Sequence, residues 1–425
     1  MVDSCAPESS KRPVLCGDAV VTSTPVSVRY AEFCVMHTLL GIAVIGLVTS
    51  TVFTGMVLWA IPGFLRERRE AGMRMRSGPD FLPPVTLLKP LHGAEPGLTE
   101  HLATFFDQDY PEYEILFCAR TSDDAGLEIA RQVAKQFPAI PARFYWTGEP
   151  PYINAKAASM ELMEEEASYE ILVISDSDVR VTPDYLRAVV LPFADETVGG
   201  VTCLYRGVAA EGGLWSRLEA VGMSVEMSAG VLVARMMEGM QFTLGPTMAF
   251  RRSTIQRMGG FQVTGDYCSD DFILGNETWK LGETVVLSHH VIDHIVINAS
   301  VVKSLKHQAR WMKSTRFSRP KGHLGTALTF SVPFGILGLI AGIELGHMNW
   351  GLALLVWSVA SRLALSITVG GIVVRDKSWL GLLFLYPIRD LMGFFFWLSS
   401  YFSSKILWRD RVYQLLPGGK MREAR

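Results

Sequence analysis

Three acidic clusters stand where carboxylates commonly do chemistry: Asp123-Asp124, Asp176-Ser177-Asp178 and Asp270-Asp271. Two carboxylates flanking one serine, as at Asp176 and Asp178, suit a hard divalent cation, Mg2+ or Mn2+, that also touches a diphosphate. Such a cation neutralises charge building on a leaving diphosphate. With Thr182-Pro183 close behind, the same triplet also suits a helix-capping turn. Asp123-Asp124 has the same two readings, N-cap or ligand contact. Asp270-Asp271 follows a Gly259-Gly260-Phe261 turn and enters an apolar stretch. It either caps a helix or supplies a general base, because burial beside a like charge raises a carboxyl pKa into a useful range. Arg310-Trp311 sits among Lys303, Lys306, Lys313, Arg316 and Arg319. That basic run suits an anionic lipid surface or a diphosphate. Lys156, in Asn154-Ala155-Lys156, is either a surface lysine or a phosphate contact.

The elements that must position these groups follow from periodicity. Val85–Leu88 is a short apolar strand ending at Lys89-Pro90, with a helical stretch near Leu98–Phe106. Tyr113–Ala119 is the next strand. Leu127, Ala130, Val133 and Ala134 recur at helical spacing over about Ala125–Phe137. Ala142–Trp146 reads as strand and Ala155–Glu166 as helix. Ile171–Ser175 is an apolar strand running straight into Asp176. Alternating elements of this size imply an α/β fold with a mostly parallel sheet and helices on both faces. Ligands then bind beyond the carboxyl ends of the strands, where the acidic clusters fall.

The 425 residues are 49% apolar with a formal net charge of −2, so nothing global points to nucleic acid. Six scattered cysteines form no Cys-x-x-Cys pair, which implies neither a zinc site nor a disulfide framework. Phe33–Leu65 lacks Asp, Glu, Lys and Arg, long enough to cross a bilayer and too long for a signal peptide. Arg66, Arg68, Arg69, Arg74 and Arg76 follow it, so the positive-inside rule sets the following domain in the cytoplasm. The expected organisation is an unstructured outer tail over 1–32, an anchor over 33–64 and a cytoplasmic domain over 77–300. A basic interfacial helix over 301–323, a hydrophobic region over 324–406 and a basic tail over 407–425 complete it. Three full crossings after His323 would strand the basic C-terminus outside. Ser378–Ile406, broken at Pro387, is therefore expected to be re-entrant or interfacial, with Arg362, Arg389 and Asp390 lining a pocket for a lipid headgroup; the alternative is that each arginine lies in a protein-packed interior with Asp390 as counter-ion.

The order of these signals carries a resemblance. Leu87-Leu88-Lys89-Pro90-Leu91-His92-Gly93, Phe105-Phe106 and Asp109-Tyr110-Pro111-x-Tyr113-Glu114 resemble the opening of ceramide glucosyltransferases and their bacterial relatives, including the glycosyltransferases of hopanoid lipid synthesis. Those enzymes combine a GT-A fold with three spaced acidic sites and a final (Gln/Arg)-x-x-Arg-Trp. The resemblance covers roughly residues 84–320 and implies an inverting transfer from a UDP-sugar to a membrane lipid. It implies that Asp124 contacts uracil or ribose, that Asp176 and Asp178 hold metal and diphosphate, and that Asp271 takes the acceptor proton. Arg310 and Trp311 would close over the diphosphate, which Lys156 would also reach. The bacterial relatives imply an inner-membrane protein; oligomeric state is left open. Two positions depart from the pattern. His307 stands where the family has Gln or Arg, and Asp178 where the animal enzymes have Gly, which favours metal dependence. Processive polysaccharide synthases share the core, but their Gln-x-x-Arg-Trp and multiple spans fit less well. A non-catalytic scaffold is disfavoured by three intact acidic sites.

Overall fold

The computed structural model describes residues 26–77, 81–210, 213–297, 300–408 and 411–424. Eight strands build the central sheet: β1 (Val85–Pro90), β2 (Tyr113–Ala119), β3 (Ala142–Trp146), β4 (Ile171–Ser175), β5 (Val179–Arg180), β6 (Val198–Ala209), β7 (Thr247–Arg251) and β8 (Thr284–Val296). Their order is β3-β2-β1-β4-β7-β6-β8-β5. The first four are parallel neighbours, with Leu87 opposite Ile115 on one side and Val173 on the other. β7 runs antiparallel between β4 and β6, which makes the sheet mixed. β1, β2 and β4 are buried on both faces, as their unbroken apolar runs require. One face packs Leu87, Ile115, Phe117 and Val173 with Leu98, Phe105, Leu127 and Ala130; the other packs Leu88, Leu116 and Ile174 with Met160, Met163 and Phe261. This is the GT-A layout the resemblance implies.

Helices Ala125–Ala134 and Ala155–Glu166 follow β2 and β3, the first ending three residues before the expected Phe137. The anchor differs more. It is one helix over Val26–Ser77, so residues 26–32, expected in the tail, are helical, and residues 1–25 of that tail lie outside the described residues. The arginine cluster does not end the helix because arginine is a strong helix former.

Among the described residues, four helices are long and apolar enough to cross a membrane: Ala31–Ser77 of the anchor, Leu214–Glu238, Met348–Val373 and Trp379–Ser399. Leu214–Glu238 lies within the stretch expected to be wholly soluble, its apolar face masked in sequence by Arg217, Glu219, Glu226 and Arg235. Helix Val332–Glu344 has 13 residues, about 20 Å, too short to span a bilayer core alone.

Arg362 and Asp390 do not line a headgroup pocket as expected. They pair at 3.0 Å, 1% and 3% exposed. Asp390 Oδ2 also accepts from the backbone N–H groups of Ser331 and Val332 at 2.9 and 2.8 Å, capping helix Val332–Glu344. Both charges are spent on each other and on a helix end.

Within 407–425, expected to be a basic tail, the described residues instead continue a small antiparallel sheet of β9 (Lys405–Trp408), β10 (Arg411–Leu415) and β11 (Met421–Glu423). Ile406, Tyr413, Leu415 and Met421 face inward while Lys405, Arg411 and Arg422 face out. The two-residue period was hidden by the density of basic side chains.

Candidate active site

Part of the expected site stands directly after the parallel strands. A cavity of about 300 Å³ is lined by Pro90 at the end of β1 with Leu91 and His92 after it, Arg120 after β2, Thr147 after β3 and Asp176–Asp178 after β4. Lys156 and Ser159, from the helix after β3, and Trp408 of β9 complete much of the wall.

Asp124 is the N-cap of helix Ala125–Ala134 and accepts from Gly126 N–H at 2.8 Å. Its two oxygens also accept from Gly93 N–H at 3.1 and 3.0 Å, fixing the loop after β1. Gly93 has φ +69°, and a side chain at Gly126 would collide with the Gly93 carbonyl, so two glycines permit this junction. The capping alternative therefore holds for Asp124. A carboxylate has about four acceptor positions, so capacity for a ligand contact remains.

Lys156 joins the second and third acidic clusters. Its ammonium lies 2.7 Å from Asp176 Oδ1 and 3.1 Å from Asp270 Oδ2. Burial opposes its charge, but Asp176 and Asp270 more than offset this and raise its pKa. The surface-lysine alternative fails. Asn154 caps the helix that carries it, its side chain accepting from Lys156 N–H at 3.0 Å.

Asp270 and Asp271 occupy the first turn of helix Asp270–Lys280, where the helix dipole favours negative charge. Asp271 Oδ2 accepts from Gly245 N–H at 2.9 Å and Oδ1 from Phe272 N–H at 2.8 Å. The next residue, Pro246, accepts from Asp176 N–H at 3.4 Å, so the Gly245-Pro246 step links the two acidic sites. Loss of water, then the neighbouring Asp270 carboxylate, pushes Asp271 up to about 6 despite those donors. A carboxyl titrating there is suited to take a proton near neutrality.

Arg310 and Trp311 lie on helix Val301–Ser318. Arg310 Nη1 is 3.7 Å from Cys268 Sγ, and Ser314 Oγ is 2.6 Å from Ser269 Oγ, so the helix packs beside the loop leading to Asp270. Trp311 packs against Ala220, Met223 and Val296. His307 Nδ1 lies 2.7 Å from Glu219 Oε1, and its ring stands 4.2 Å from the Trp311 ring. The departure from Gln or Arg thus fixes the tryptophan against helix Leu214–Glu238.

The chemistry of the donor set fits a divalent cation. Asp178 Oδ1 is buried and, among the described residues, has no hydrogen-bond partner; Asp178 Oδ2 lies 3.4 Å from His294 Nε2. Among the described residues no three His, Cys, Asp or Glu side chains form a closed metal cage. Mg2+ is commonly held by one or two carboxylates with substrate phosphates and water, which matches Asp176 and Asp178.

Lys89 was not recognisable as a site residue. It is 0% exposed, donates to the Asp176 carbonyl at 2.6 Å and lies 3.6 Å from the Phe105 ring centroid. Burial lowers it to about 7 against the pull of Asp176 and Asp178. Its one sequence signal is a lysine at the end of an otherwise apolar strand.

The chain is similar to several known proteins. A ceramide glucosyltransferase 1 of Caenorhabditis elegans is 24% identical over 350 residues, covering 81% of this chain and 74% of that protein. Ceramide glucosyltransferase 3 of the same organism is 25% identical over 347 residues, covering 80% and 74%. Among solved structures, a mannosyltransferase of Pyrobaculum calidifontis in complex with GDP-Man and Mn2+ aligns with TM-score 0.44 and 19% identity, over 82% of this chain and 99% of that one. The family model for glycosyl transferase family 21 matches residues 9–421. The chain belongs to that family and is a glycosyltransferase.

Proposed function

We propose that the chain transfers a hexose from a UDP-sugar to the hydroxyl of a ceramide-like membrane lipid, with inversion at the anomeric carbon. The observation that carries this is where Asp271 stands. Its neighbour Phe272 packs on the cluster formed by Val57, Ile61 and Phe64 of the anchor, Leu232 of helix Leu214–Glu238 and Tyr386 of helix Trp379–Ser399. A proton-accepting carboxylate thus borders the apolar helices from which a lipid would arrive, while Lys156, Asp176 and Asp178 line the polar cavity.

In this reading the acceptor hydroxyl gives its proton to Asp271 as its oxygen bonds to the anomeric carbon. The bond from that carbon to the diphosphate breaks, and its electron pair leaves with the UDP. Lys156 and Arg310 offset the charge on the diphosphate, and Trp311 helps exclude water. Asp124 and the Gly93 loop bind uracil or ribose. Asp176 and Asp178 would hold Mg2+ or Mn2+, which supplies charge neutralisation at the leaving diphosphate. Incubating the purified chain with UDP-glucose and a ceramide in detergent tests the proposal: a hexosylceramide supports it, and UDP release without a lipid product contradicts it.

The same reading puts the catalytic domain in the cytoplasm, with the positive-inside signal as support. Contacts favour an interfacial course for helix Trp379–Ser399. Before it, Val374 O accepts from Arg206 Nη1 at 3.2 Å. Midway, Arg389 pairs with Glu226 at 3.0 Å and donates to Gln308. After it, Ser400 Oγ meets His323 Nε2 at 3.0 Å, and β9 runs to the cavity. In a chain whose Cys5, Cys16 and Cys34 are replaced by Ser, a cysteine appended after Arg425 is therefore expected to stay unlabelled by an impermeant thiol reagent added outside intact cells. Labelling from outside would reveal a further crossing and end this topology.

A further inference from the structure

The sheet β9–β11 packs onto the active site from the far end of the chain. Ile406, Tyr413, Leu415 and Met421 form a cluster with Ile153, Cys268, Phe317 and Trp408 packed against it. Met421 N–H donates to the Asp266 carbonyl at 2.7 Å, and the Lys420 ammonium lies 5.6 Å from the Tyr267 ring centroid. Lys313, from the helix that carries Arg310, donates to the Lys405 carbonyl at 3.0 Å. β9 is thus held between that helix and the loop leading to Asp270, and Trp408 lines the cavity shared with Lys156, Asp176 and Asp178.

The contacts of the small sheet indicate where on the cavity wall the indole stands. Ile153 immediately precedes Asn154, the cap of the helix bearing Lys156. Cys268 stands two residues before Asp270, which pairs with Lys156. Tyr267, bridged to Lys420 of the small sheet, accepts from Asn154 Nδ2 at 3.1 Å, so the sheet that carries Trp408 is tied to the Lys156–Asp176–Asp270 ion cluster on the cavity wall that Trp408 shares with Lys156, Arg120 and Thr147. A flat indole beside a diphosphate-binding cluster offers what a pyranose lacks among charged groups: a rigid apolar face for its C–H surface.

We propose that Trp408 recognises the transferred hexose, forming the wall of the donor site against which the sugar rests. This deepens the UDP-sugar reading and rests on it. The sugar preference of the enzyme would then be set in part by a residue more than two hundred positions beyond Asp176 in sequence.

Calorimetric titration of the purified full chain with UDP and with UDP-glucose, in Mg2+, tests this. Trp408→Leu keeps apolar bulk against the cluster but removes the flat ring. It should weaken UDP-glucose about tenfold and leave UDP essentially unchanged, the scale of one aromatic contact. Trp408→Phe should recover most of that loss. Leu407→Ala, altering the exposed neighbour in the same strand, should match the parent. Equal weakening of UDP and UDP-glucose, an unchanged UDP-glucose affinity in Trp408→Leu, or the same loss in Leu407→Ala would each overturn the assignment. Failure of the parent chain to bind UDP would instead remove the UDP-sugar reading, and the inference with it.

Discussion

Replacing Asp271 by Asn is expected to lower hexosyl transfer at least about 10²-fold, the usual scale of a general base, while donor affinity stays close to that of the parent. The parent's kcat/KM for the lipid should fall as pH drops through about 6, because burial and Asp270 raise the Asp271 carboxyl to that value and only its ionised form accepts a proton. The Asn variant should lose that limb of the profile. A separate readout guards against misfolding. A carboxyl whose pKa is raised on folding opposes the folded state when ionised, so its removal should not lower thermal stability at neutral pH. Asp270→Asn, which loosens the Lys156 ion pair but leaves the base, should be milder. Near-normal glycosylation by Asp271→Asn would remove Asp271 from the mechanism.

Metal removal is the second large effect. Chelation is expected to abolish transfer, and Mg2+ or Mn2+ to restore it. Asp178→Ala should cost about 10²-fold or more, because a bound cation supplies several kcal/mol of charge stabilisation and each ~1.4 kcal/mol is tenfold. Full activity in excess chelator would mean that Lys156 and Arg310 carry the diphosphate unaided and that Asp178 serves the fold.

Much of the site was legible because it is local. Strands β1 to β4 are short apolar runs, so periodicity placed the Asp123-Asp124 and Asp176-Ser177-Asp178 clusters near strand ends without any tertiary information, while the choice of Asp124 came from the family resemblance. Lys156 was visible only as one of two alternatives. Its pairing with Asp270 spans more than a hundred residues and depends on how the helix after β3 faces the loop before Asp270. Lys89 and Trp408 escaped for related reasons. A lysine ending a strand is ordinarily a surface residue, and a tryptophan in a basic segment carries no signal of the cavity it meets. The Arg362–Asp390 pair was visible only as one of two alternatives, because sequence shows two costly charges in an apolar region but not the helix end that Asp390 satisfies. Leu214–Glu238 was hidden because Glu219 and Glu226 are tied inward, to His307 and Arg389, rather than solvated.

The most direct test of the central claim is mass spectrometry of the lipids formed when the purified chain is given ceramide and, in parallel, UDP-glucose or other UDP-hexoses. The account predicts a ceramide bearing a single hexose, formed with one preferred donor and absent from the Asp271→Asn control. A soluble or membrane-bound polysaccharide, or UDP release with the ceramide unmodified, would contradict it.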